Sequence, residues 1–283
     1  MIYLLLSVLS STAIFVIFKL LGKYRIDTLQ AIVINYITAF ICGWFLYDGQ
    51  IILASIIHTK WFIAAIGLGF LFIAIFNVMA LTAQKNGLSV ASVASKMSVI
   101  IPVIFGIYVY NESIGAQKVI GISLALVAVY LTSVKKKGNA VLTKSIYLPI
   151  LLFIGSGIID TSVNHFAPKG NIPLFLAIIF GMAGIIGFAI IVYKSLKTKN
   201  SFKLRSVPFG IALGIVNYCS MYFLLAALRV EGFESSSVFT INNVVIVAFS
   251  TLIGLLLFKE TISNKNWIGI FLALVSILLV TLV

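Results

Sequence analysis

Ten apolar runs, separated by short polar stretches, account for most of the chain. They fall at Ile2 to Gly22, Leu29 to Tyr47, Trp61 to Thr82, Val90 to Tyr110, Ala116 to Val134, Ile146 to Phe166, Ile172 to Tyr193, Val207 to Leu228, Ser236 to Phe258 and Ile262 to Val283. A helix that crosses the hydrocarbon core needs about 20 apolar residues at about 1.5 Å each, with every backbone polar group bonded inside the segment. Each run meets that length, so the pattern predicts ten transmembrane helices. A β-barrel would need shorter alternating segments and is excluded. Trp44, Trp61 and Trp267 lie near run ends together with Tyr3, Tyr24, Tyr47, Tyr110, Tyr147 and Tyr193, where rings prefer the headgroup interface.

Composition sharpens this reading. Of the 283 residues, 61% are hydrophobic and 10% charged, with a mean hydropathy of +1.18, which rules out a soluble enzyme or binding domain. Disorder would need the opposite balance. The net charge of +13 would point to nucleic acid in a soluble chain, but here the bases cluster between apolar runs. Membrane lipid and insertion topology account for them, and no nucleic-acid partner is expected. Cys42 and Cys219 sit inside apolar runs without zinc spacing, so no disulfide framework, metal site or cofactor is expected. The first run has no basic lead-in and is expected to remain as a span.

Lysine and arginine set the expected orientation. Loops after odd-numbered spans carry Lys23, Arg25, Lys85, Lys135, Lys136, Lys137, Lys144, Lys194, Lys197, Lys199, Lys203, Arg205, Lys259 and Lys265. Loops after even-numbered spans carry only Lys60, Lys118, Lys169 and Arg229. If the richer side stays in the cytoplasm, both termini lie outside it.

The chain also repeats itself. YNESIGAQKVIGISLALVAVY, from Tyr110 to Tyr130, aligns without gaps on FKETISNKNWIGIFLALVSIL, from Phe258 to Leu278. The match covers Glu112 and Glu260, Ile114 and Ile262, Gly121 and Gly269, and a shared Leu-Ala-Leu-Val run. Each copy closes a half of five spans, 1–138 and 139–283, with the join in the lysine-rich linker. Five is odd, so the second half enters the membrane from the opposite side. Such inverted repeats are the architecture of many secondary transporters, whose substrate site lies near mid-membrane between the halves.

A few polar residues interrupt the runs. A charge near the bilayer centre costs at least about 2.5–3.5 kcal/mol and needs a partner or a watery cavity. Lys96 lies inside the fourth span on one face with Ser89 and Ser92, and Asp160 lies inside the sixth on one face with Ser156 and Asn164. Lys96 and Asp160 either form an ion pair that fixes packing, line a cavity and engage substrate or proton, or snorkel to the interface. Ser236, Thr240 and Asn243 share a face of the ninth span, and Asn77 and Asn217 sit in the third and eighth; ligand contacts and interhelical hydrogen bonds are both open for these. Lys19, which overlays Asn164 between first and sixth spans, is expected to snorkel to the interface, and His165 is expected to be structural. Pro102 is expected to bend the fourth span. The glycines at 181, 184 and 187 and at 210 and 214 read as packing surfaces, with a homodimer contact as the second reading.

Walker, zinc and GxSxG patterns are missing, so no enzyme is expected. Ten spans as five plus five, Pro102 in the fourth with Glu112 at its exit, and a fifth span that starts at Gly121 and carries Leu-Ala-Leu-Val resemble the drug/metabolite transporter superfamily, specifically EamA-type exporters. The resemblance implies alternating access around a cavity lined by spans one, three and four and by six, eight and nine. It implies a secondary exporter of a small polar metabolite, such as an amino acid, in a bacterial inner membrane. Lys96 would meet an anionic group of the substrate, with Asn77, Asn164, Asn217 and Asn243 as further binding candidates, and Asp160 would balance the charge or carry a coupling proton. Efflux of cationic or aromatic drugs is the alternative if Asp160 dominates, and a lipid-linked precursor flippase or a non-transporting scaffold is the alternative of another class. The chain departs from the family twice. No proline recurs at Ile246 to Ser250, and the charge bias opposes the cytoplasmic termini common in the family.

Overall fold

A computed structural model of the chain describes residues 2–47, 60–109, 115–133, 146–166, 172–198, 202–228 and 235–281. The structure is all-helical over these residues. In chain order the helices are α1 (Ile2–Lys23), α2 (Thr28–Phe45), α3 (Lys60–Lys85), α4 (Leu88–Met97), α5 (Ile100–Val109), α6 (Ala116–Ser133), α7 (Tyr147–Phe166), α8 (Ile172–Thr198), α9 (Ser206–Leu228), α10 (Ser235–Leu256) and α11 (Asn264–Thr281). Six spans are long and apolar enough to cross a membrane by themselves, and the shorter apolar helices within α6, α7, α10 and α11 supply the other four. Ile63, Phe70, Ile185, Phe188 and Phe271 are exposed on the outside of the bundle, as side chains that face lipid must be. The proposed join of the halves, near residue 138, and Glu112 lie outside the described residues.

The fourth span, where Pro102 is expected to produce a bend, is divided into two helices, α4 and α5. Pro102 explains the break, since it has no N–H to give the carbonyl of Ser98 four residues back and its ring crowds that carbonyl. The Ile101 amide donates to Ser98 O instead, at 2.9 Å, and Ser98 Oγ turns back to the Ser95 carbonyl. The ninth span, α10, lacks a proline and runs unbroken.

Helix ends at one side of the bundle are tightly terminated. Asp27 caps α2, accepting from the Gln30 amide at 3.1 Å. α3 ends on Gly87 in a left-handed conformation (φ 109°), and α10 ends in a turn where Lys259 takes φ 50° and the Glu260 amide donates to Gly254 O at 3.0 Å. That bond reaches six residues back across a left-handed residue and gives one of the last carbonyls of α10 a partner.

Packing follows the repeat. The two last helices of the halves, α6 and α11, lie against each other, as do α2 and α8, and α4 and α10. Pairs that a two-fold exchange of halves interconverts are also present: α2 with α9 and α8 with α3, α1 with α9 and α7 with α3, α1 with α10 and α7 with α4. Gly121 and Gly269, equivalent in the repeat, both lie in the α6–α11 contact. The Gly121 carbonyl accepts from Ser276 Oγ at 2.7 Å, and a Cβ on Gly269 would meet Thr132 Cγ2 at 2.8 Å.

The largest core joins α1, α2, α3 and α8 through aromatic rings. Tyr36 contacts Phe72, Phe76 and Phe180, and its hydroxyl donates to Phe72 O at 2.9 Å. The glycine surfaces are filled inside the chain. A Cβ at Gly210 or Gly214 would strike the Ala31 or Asn35 carbonyl of α2, and Gly181 and Gly187 pack on Phe40 and on Val33 and Ile73. Close approach of backbones inside one chain accounts for these glycines.

Candidate functional site

Spans one, three and four and their repeat mates pack on one another, and the two ends of this group differ. At the end marked by Glu260, α1 packs on α3 and α4. Among the described residues, no comparable packing joins their counterparts, α7 to α9 or α10. Gln84 at the end of α3 donates through Nε2 to Phe18 O and to Thr28 Oγ1, both at 3.1 Å. Lys19 Nζ lies 2.7 Å from Glu260 Oε1, and both Glu260 oxygens accept from the Leu88 amide, at 3.1 and 3.0 Å. One carboxylate thus ties together the first, fourth and ninth spans. It fits only because Gly87 and Gly254 lack side chains: a Cβ on either would come within 2.8 Å of Glu260 Oε2. Lys19 was expected to snorkel and does not, because Glu260 from a distant span gives it a partner inside the bundle.

Among the described residues, the other end is less tightly packed. Phe153, Ser156 and Gly157 mark the inward face of α7 and are buried, yet Asp160, one turn further along that face, is exposed. Exposure on an inward face means that the interior widens there. Asp160 Oδ2 accepts from Ser98 Oγ at 3.3 Å, at the break between α4 and α5. Lys96 is half-buried two residues before the break, near enough to Asp160 for the charges to sense each other, but outside the 4.0 Å of an ion pair. The direct Lys96–Asp160 pair is therefore not formed. Gly157 lets α7 approach α5, since a Cβ there would overlap Ile101.

The remaining candidates divide. Asn77 Nδ2 donates to the Ile73 carbonyl of its own helix at 2.8 Å. Asn217 is buried, and its side-chain amide meets that of Asn35 at 3.2 Å, a contact between α9 and α2. Asn243 is buried in α10. The side chains of Asn164, Ser236 and Thr240 lie outside the described residues. Ser89 is buried with an unpartnered Oγ, and Ser92 donates to Ser89 O at 3.1 Å. His165 stacks edge-on against Phe105 and Phe166.

Two polar groupings had no role in the sequence reading. One is the Lys19, Glu260 and Leu88 clasp. Its signal was present, since Glu260 is one of the few polar residues that the repeat preserves. The other is a seam in which Ser7 Oγ donates to Asn242 Oδ1 at 3.0 Å and Ser11 Oγ lies 2.6 Å from Ser220 Oγ, linking α1, α9 and α10. Isolated serines in apolar helices carry no distinguishing pattern.

Known proteins extend these observations. The EamA-like transporter family is matched twice, by residues 1–134 and by residues 143–282. An uncharacterized protein of Haemophilus influenzae is 29% identical over 281 residues, covering 97% of this chain and 95% of that one. A protein of known crystal structure shares 13% identity and superposes with a TM-score of 0.59 over 99% of this chain and 96% of its own, a likeness of fold alone. A multi-pass, non-enzymatic membrane protein built of two matching halves follows from the double match and the helical bundle together. The chain belongs to the EamA-like transporter family of the drug/metabolite transporter superfamily.

Proposed function

We propose that the chain is a secondary active exporter of a small polar metabolite of the amino-acid type, working by alternating access in a bacterial inner membrane. The observation that carries this reading is the pairing of Lys96 and Asp160 across the break of the fourth span. Two opposite charges face one interior without contacting each other. Each is costly there unless water or a ligand serves it. A substrate with both an anionic and a cationic group offsets both costs, whereas a single charge leaves one residue unserved. Membership of a transporter family supplies the reaction class, and the difference between the two ends supports a state open only at the Asp160 end.

Lys96 is assigned to the anionic group of the substrate. Asp160 is assigned to the cationic group or to a coupling proton, and Ser98 holds it against the hinge. Asn243 is the amide candidate of the repeat-related span. Asn217 meets Asn35 between α9 and α2, and Asn77 is bonded within its own helix.

Thermal melting and uptake into proteoliposomes, measured for Lys96→Met, Asp160→Asn and the double variant, test the assignment. Lys96→Met keeps the apolar stem, so it is expected to abolish uptake of amino acids with little loss of melting temperature. Restored transport in the double variant would remove Lys96 from the binding site and make the two charges a structural couple.

A further inference from the structure

The clasp lines a cavity. About 450 Å³ of open space lies beside it at the Glu260 end, bordered by Lys19, Lys85, Ser89, Glu260, Ser263 and Asn266. Three features of this space point to a ligand. Ser89 is 5% exposed and, among the described residues, its Oγ has no hydrogen-bond partner, although it borders the cavity. Lys19 and Glu260 reach it with side chains only 21% and 13% exposed, so both charges are largely withdrawn from water. The Leu88 amide, at the start of α4, donates to the Glu260 carboxylate that closes the clasp.

Transport through this end requires the clasp to part, because it joins the first, fourth and ninth spans. Parting strands a partly buried ammonium, a carboxylate and a helix-start amide at once, and removal of one partner from a buried pair is strongly unfavourable. A cationic ligand would satisfy Glu260 and leave Lys19 beside Lys85. An anionic ligand would satisfy Lys19 and leave Glu260. A ligand that carries both signs at amino-acid spacing satisfies all three groups: its carboxylate takes the place of Glu260 at Lys19 and at the Leu88 amide, and its ammonium takes the place of Lys19 at Glu260. Oxyanions are suited to such helix starts.

We propose that this cavity is an access subsite for a zwitterionic substrate, and that the substrate opens the Glu260 end by exchanging its own charges for those of the Lys19–Glu260 pair. The proposal rests on the exporter reading above and adds to it a second site, outside Lys96 and Asp160, together with the residues that make access selective. A ligand shifts a gate only by binding its open form better than its closed form, and charge exchange is the source of that difference here.

The test uses the full chain in proteoliposomes with Cys42 and Cys219 replaced by serine and one thiol introduced at Ser92, which is buried beneath the clasp. A small cationic methanethiosulfonate is applied from the Glu260 side. Labelling is timed with each of the twenty proteinogenic L-amino acids, and then with the amide and N-acetyl derivatives of those that accelerate it. At least one amino acid is expected to raise the rate about tenfold, with neither derivative doing so. Lys19→Met/Glu260→Gln, which keeps an acceptor for Leu88 but no charge, is expected to label fast with no ligand present. The same comparison with the thiol at Ser95 guards against a local effect of Ser92. Slow labelling of the uncharged variant overturns the clasp as the seal, and equal acceleration by amides overturns charge exchange. If amino acids are taken up without accelerating labelling, this proposal falls and the exporter reading stands. If they are neither taken up nor accelerate labelling, both fall.

Discussion

Ser98 and Asp160 meet across the interior: the serine at the break of the fourth span donates to the aspartate of the sixth at 3.3 Å. Without Pro102 the backbone around Ser98 would be ordinary helix, so a proline four residues away sets the contact. Removing the hydroxyl in Ser98→Ala is expected to cost about 1 kcal/mol, the usual worth of such a bond. Uptake should fall further than stability does, because Asp160 loses its anchor at the hinge. Melting curves and initial uptake rates on the same preparation check this, and an unchanged uptake rate would detach Asp160 from the hinge.

Pro102→Ala restores the missing amide and allows the fourth span to close into one helix. The variant is expected to melt at the same or a higher temperature, since proline inside a helix costs about 3 kcal/mol relative to alanine. Transport should slow if the break is used in the cycle. Faster transport, or a lower melting temperature, would show that the break is neither hinge nor strain.

Glu260 depends on two glycines, which makes its seat sensitive to a single methyl group. Gly254→Ala is expected to displace the carboxylate and lose about 1–3 kcal/mol, as overpacking does. Gly87→Ala should lose more, because position 87 also has φ 109°, which alanine adopts poorly. Thermal unfolding of the two variants ranks them, and the opposite ranking would argue against the φ requirement.

Orientation is open to labelling in intact cells. Thiols introduced at Phe202 and Lys265, both exposed at the Glu260 end, are expected to resist an impermeant maleimide, while one at Gln117, exposed at the opposite end, is expected to react. The reverse pattern would place both termini in the cytoplasm, as is common among relatives of the resembled type.

All ten spans were legible because each has to supply its own backbone hydrogen bonds across lipid, which forces a long apolar run into the sequence. The repeat was legible for the same reason that Gly121 and Gly269 occupy one contact: both halves solve the same packing problem. What stayed hidden depends on partners far apart in the chain. Lys19 looks like any lysine near a helix end until Glu260 is placed beside it, and nothing in the eighth span announces that Asn217 meets Asn35. Helical periodicity reports which face of a helix is polar, but not which other helix meets that face.

The unbroken ninth span and the divided fourth have unequal mechanical consequences. α10 carries Asn242 and its contact with Ser7 towards one membrane surface and delivers Glu260 at the other. A stiff rod of this kind reports at one end whatever happens at the other, so loosening the Glu260 clasp would tug on the serine seam at the far side. In the fourth span the break at Ser98 separates the helix that carries Leu88 from the one that carries Ile104. The two halves, alike in ancestry and packing, thus work as a lever set against a knuckle.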